Sequence, residues 1–158
     1  MRLKALLLVV LLLLTGCTPV SRAVAWSEDA LGGAWEAGYR LEFHQPDAAL
    51  VYSVQETYNQ DTLTIIVENA DGYTQVMEFG DGFAVELGPG EIEWQQQHQG
   101  PPWYSLLVLA TQIQAEKPVR DEKWLRSGDY RLSLNAGLPA AVTVPEQWSV
   151  TIESFQWK

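Results

Sequence analysis

Few side chains in this 158-residue chain could do chemistry. Cys17 is the only cysteine, so no intramolecular disulfide and no thiolate metal cluster can form. His44 and His98 are the only histidines, and a zinc site needs three or four ligands. Glu91 and Glu93 alternate along an expected strand and share one face, a spacing open to acid–base work. On an exposed strand the same pair serves solubility, which is the simpler reading. Nucleophile-elbow, phosphate-loop, zinc-helix and calcium-loop patterns are all missing. The chain is therefore read as a non-enzyme that needs no cofactor and no metal.

Cys17 follows a leader. Arg2 and Lys4 precede the unbroken apolar run Ala5–Leu14, and Thr15-Gly16 supply small residues before the cysteine. This is the plan of a secretory signal. Ten apolar residues are about half of what a spanning helix requires. Met1–Gly16 is expected to be the removed signal, residues 17–25 a tether, and residues 26–158 one β-domain that opens with a helical turn or two over Trp26–Trp35. The 142 residues that remain suffice for a single core. They carry 8 Lys/Arg against 20 Asp/Glu, a net charge of −12. Nucleic acid is an unsuitable partner for such a chain.

Leu14-Thr15-Gly16-Cys17 resembles the lipobox of bacterial lipoproteins. That resemblance implies that the Cys17 thiol is joined to diacylglycerol and the new amine acylated. It implies attachment to the membrane through lipidated Cys17, since two or more chains anchor stably where one does not. Thr18 in place of Asp resembles the enterobacterial outer-membrane sorting class. The domain would then face the periplasm. An ordinary signal followed by a stray cysteine is the alternative.

The elements that would position any site are mostly strands. Period-two alternation runs through Tyr39/Leu41/Phe43, Leu50/Tyr52/Val54, Leu63/Ile65/Val67, Tyr73–Phe79, Phe83–Leu87 and Ile92/Trp94. Asp71-Gly72 is a hairpin signal. The period then lengthens. Pro101-Pro102 is expected to open a helix carrying Trp103, Leu106, Leu107, Ala110 and Ile113 on one stripe, with Tyr104 and Leu109 off it. Val119–Arg126 reads as a charged connector. Tyr130–Leu134, Ala141–Val144 and Trp148–Trp157 close the chain as strands. The fold class predicted is mainly β (α+β), an antiparallel sheet curled around one main helix.

Charge is segregated along this plan. Leu41–Glu116 holds twelve Asp/Glu and no Lys or Arg, whereas Lys117, Arg120, Lys123, Arg126 and Arg131 fall in the next 15 residues. The stretch is either a solvated loop balanced by Asp121, Glu122 and Asp129, or a patch for anionic headgroups or an acidic partner. Seven Trp, six Tyr and four Phe either fill the core or line a greasy rim.

The order of elements is similar to that of the lipoprotein localisation family, the outer-membrane receptor LolB and its carrier relative LolA. The residues that carry it are Tyr52–Leu87, the Asp61–Asn69 and Gly72 hairpin, Pro101–Ile113, Leu138–Val144 and Trp148–Trp157. The resemblance implies an unclosed barrel lidded by helices, whose cavity holds acyl chains; for this chain that is an incomplete barrel with one main lid helix. Its walls and lid would be Trp103, Leu106, Leu107, Ala110, Ile113, Tyr52, Val54, Leu63, Ile65, Val67, Val150 and Ile152. The function implied is lipoprotein or lipid transfer to the outer membrane by a monomer, with acyl chains or a periplasmic carrier as partners. The family's hairpin tip is Pro-Leu-Gly. Here it reads Asn69-Ala70-Asp71-Gly72, and Asp71 is expected to stay out of a membrane, with Tyr73 the nearest apolar substitute. The competing reading is an envelope interaction lipoprotein with a filled β-core and no ligand. A connected apolar cavity favours the first, a packed interior the second.

Overall fold

The computed structural model describes residues 18–46, 48–80, 83–87, 95–96 and 100–158, with side chains described outside 81–99 only. Cys17 and the signal, Glu91, Glu93 and His98 lie outside the described residues or side chains. The elements run α1 (Pro19–Gly32), β1 (Trp35–His44), β2 (Ala49–Tyr58), β3 (Thr62–Asn69), β4 (Thr74–Gly80), β5 (Phe83–Leu87), β6 (Gln95–Gln96), α2 (Leu106–Ala115), β7 (Val119–Asp121), β8 (Trp124–Ser127), β9 (Tyr130–Asn135), β10 (Leu138–Val144) and β11 (Trp148–Trp157).

One antiparallel sheet holds all eleven strands in the order β6-β5-β4-β3-β2-β1-β11-β10-β9-β8-β7. Two meanders therefore meet at the β1–β11 ladder, where Leu41 stands opposite Val150. The outermost strands β6 and β7 are not paired with each other, so the sheet is an incomplete barrel. Side-chain alternation puts one face inward. A single register row crosses six strands as Leu125–Leu132–Val142–Val150–Leu41–Tyr52, apolar at every position. Five of its members are 4% exposed or less, and Tyr52 is half-buried at its end. That continuous ridge ties the two meanders into one core.

Both helices pack on this side. α1 takes in the expected helical turns after Trp26 as far as Gly32, and extends back through most of the expected tether. Thr18 Oγ1 accepts from the Ser21 N–H, and Pro19 takes the first helical position. This is a capped helix start. Ala23, Trp26, Ser27 and Ala30 are its buried residues, spaced i, i+3, i+4, i+7. Val119–Arg126, expected as a connector, is instead the β7–β8 hairpin. Its strands are three and four residues long, too short and too charged at alternate positions to show a period.

Candidate functional site

β2 brings an acid into the core. Continuing the inner face from Tyr52 and Val54 by two residues reaches Glu56, which is 0% exposed. Glu56 stands opposite Ala37 on β1 and Ile65 on β3. Four donors converge on its two oxygens. Ser105 Oγ donates to Oε1 at 2.5 Å and the Leu107 N–H to the same oxygen at 3.2 Å. Tyr39 Oη donates to Oε2 at 2.8 Å and the Leu106 N–H at 2.9 Å. Tyr39 and Ser105 are each 1% exposed.

The partners explain the position. Ser105 is the N-cap of α2, and its hydroxyl also accepts from the Leu107 N–H at 3.1 Å. The first amides of a helix have no partner within it, and that end carries partial positive charge. Glu56 satisfies two of them from the sheet below. Burial raises its pKa above the ordinary carboxylate range, and the bonds from Ser105, Leu106, Tyr39 and Leu107 pull back against that shift. Tyr39 is pushed well above its usual range, first by burial and then by the Glu56 charge and hydrogen bond. The cluster is sealed from solvent, and what it can do is bind or release a helix end.

The other end of α2 is tied as well. Ser127 Oγ on β8 donates to the Glu116 carbonyl at 2.6 Å. Between the two ties α2 turns Leu106, Leu109, Ala110 and Ile113 to the sheet, each 2% exposed or less.

This stripe corrects the expected one. The helix starts after Ser105, not at Pro101, so Trp103 lies in the preceding turn and is 43% exposed. Leu109 takes the inward place and Leu107 is half-buried. Of the expected wall residues, Val54, Leu63, Ile65, Val67 and Val150 are buried, while Tyr52 and Ile152 are partly covered. Sheet and lid stripe belong to one buried apolar cluster.

Among the described residues the surface carries open space. A cleft of about 600 Å3 is lined by Trp103, Gln112, Glu116, Gly128, Asp129, Tyr130, Val144, Gln147 and Trp148. Trp103 packs on Trp148 with ring centroids 4.8 Å apart, and Tyr130 Oη donates to the Trp103 carbonyl at 3.0 Å. At the β3–β4 tip Asn69 Oδ1 accepts from the Asp71 and Tyr73 amides at 3.0 and 2.9 Å. Gly72 there adopts φ +79°, a conformation that suits glycine. Asp71 is exposed and Tyr73 is 57% exposed. His44 meets Ser149 at 3.2 Å at an exposed strand end. Among the described residues no group of three or more His, Cys, Asp or Glu is placed to hold a metal.

Sequence reasoning missed Glu56, although the parity of β2 pointed to it: any residue two beyond Val54 on that strand faces inward. Ser127 carried no signal. Compared with known proteins, the chain matches no protein-family model and no curated protein.

Proposed function

We propose that the chain is a lipoprotein anchored through Cys17, facing the periplasm from the outer membrane, whose half-barrel takes up acyl chains or lipoproteins beneath α2 during their transfer. The observation that carries this reading is the way α2 is fastened. A helix kept only for stability needs no carboxylate in the core, because apolar replacements of buried charges are often neutral or stabilising. Glu56 instead meets the helix end with hydrogen bonds, which can be exchanged for water when the end lifts. Lifting α2 would uncover the inner apolar face around Val54, Leu63 and Ile65. Acyl chains would then bind there at about 0.8 kcal/mol per buried CH2.

A second reading rests on the packed contact of lid and sheet: a filled β-domain that holds another envelope protein. The experiment that separates them is titration with a fluorescent fatty acid. Glu56→Gln loosens the latch, so the transfer reading expects tighter probe binding by the variant than by wild type, with the fold retained by circular dichroism. If neither protein binds the probe, the interaction reading stands. Lipids found by mass spectrometry in a purified Cys17→Ala form would support transfer directly.

A further inference from the structure

The basic stretch of the chain folds as the β7–β8–β9 edge. Lys117, Arg120, Lys123, Arg126 and Arg131 are all exposed. The ion pairs among the described residues, Arg40–Glu42 and Lys158–Glu36, use none of them. Arg126 and Arg131 are direct cross-strand partners, a like-charge pairing that weakens a sheet unless an outside anion neutralises it. At the turn end of the hairpin, Arg120 and Lys123 share a cleft of about 170 Å3 with Pro19, the first residue of α1. Arg22, exposed on the next turn of α1, adds a third cation. Asp121 and Glu122 interrupt this rim, where Arg22, Arg120 and Lys123 still outnumber them in a chain of net charge −10.

Tertiary structure thus gathers cations from two distant stretches around the start of α1. Cys17 precedes Pro19 by two residues, and the covalent chain keeps their Cα atoms within about 8 Å. We propose that this rim binds anionic lipid headgroups and so fixes how the domain sits on its membrane. The inference rests on the anchor at Cys17 proposed above. Each cation close to an anionic surface favours contact by about fivefold.

The topology then decides what faces away. The β7–β8 turn lies at the same end of the sheet as the β2–β3 and β9–β10 turns, and the β3–β4 tip lies at the other end. With the rim on the bilayer, Asp71 and Tyr73 are held away from it. An acid at the tip is then no handicap.

The test uses the full lipidated chain in vesicles of phosphatidylcholine alone or mixed with phosphatidylglycerol, read by hydrogen exchange. On the anionic vesicles residues 119–126 should exchange several-fold more slowly than on neutral ones, and 0.5 M salt should erase the difference. Combined Arg22→Glu, Arg120→Glu and Lys123→Glu should abolish the slowing, with residues 69–74 unaffected throughout. Equal exchange on both vesicles, slowing that survives the triple substitution, or slowing confined to 69–74 would overturn the proposal. An acidic protein partner gives no lipid dependence and counts against it. The mass of the N-terminal peptide reports separately on the anchor: an unmodified Cys17 sinks that reading, while the exchange map still decides the headgroup face.

Discussion

α1 and α2 cover the same sheet face but are fastened by different chemistry. α1 leads within three residues into β1 and buries mostly small or apolar residues. Its polar ties run to β1 and to α2 and involve no charged group: Trp35 Nε1 donates to the Ala30 carbonyl at 2.9 Å, and Gln114 Nε2 donates to Ser27 Oγ and the Val24 carbonyl. α2 runs into β7 after three residues, Glu116–Pro118. It is clasped at its first turn by Glu56 and at its last by Ser127. Both helices lead into a strand within a few residues, so chain connectivity does not separate them. What separates them is the polar clasp at each end of α2, which a proton or a single substitution can undo.

The most damaging way to break this contrast is Glu56→Ala. It leaves the Leu106 amide, the Tyr39 hydroxyl and much of the α2 N-terminus unsatisfied in the core, at a cost of roughly 3–5 kcal/mol. Hydrogen exchange in residues 106–115 should accelerate more than in 19–32. Equal acceleration in both helices would mean that α2 is not clasped as described.

Glu56→Gln is milder and sharper. Each carboxylate oxygen receives one backbone N–H, so either orientation of the amide turns its NH2 toward an amide proton of Leu106 or Leu107. The expected loss is about 1–3 kcal/mol. The pH dependence carries a sign. The folded pKa of Glu56 is raised, so the folded state holds this proton more tightly than the unfolded one. The stability it contributes is full below the unfolded value near 4.5 and is lost as pH rises through the raised folded value. Wild type should therefore lose advantage over Glu56→Gln as pH rises across that window in denaturant titrations. A constant difference between the two would show that burial does not govern this acid.

Ser127→Ala removes the clasp at the far end and should cost about 1 kcal/mol in the same titrations, with exchange rising at residues 112–116. The smallest effect on stability is expected from Asp71→Leu, since the exposed tip buries little and Asn69 keeps its backbone bonds. The gain should appear elsewhere, as stronger co-sedimentation with liposomes, because one buried leucine contributes roughly 1.5–3 kcal/mol. Unchanged sedimentation would show that the tip's chemistry does not limit membrane contact.

The sequence by itself determined the strands whose apolar residues repeat every second position. Leu63, Ile65 and Val67 fell inward as read, and Asp71-Gly72 made its turn, because both signals are local. The one-sided apolar face required something to cover it, and the lengthened period after Pro102 supplied one helix to do so. Where the signals were long-range, only the tertiary structure decided. Thr18-Pro19 is a helix start that its lipobox setting disguised as a tether, and the helix it begins is completed by burial of Trp26 and Ala30. β7 and β8 pair through strands too short to pattern themselves, so neighbours supply their conformation. Leu109 rather than Trp103 meets the sheet because Ser105, not Pro101, is the residue that caps α2 above a carboxylate. Strand parity could send Glu56 inward. Four donors from β1, the α2 cap and two backbone amides had to arrive around it before a buried acid could be held there at all.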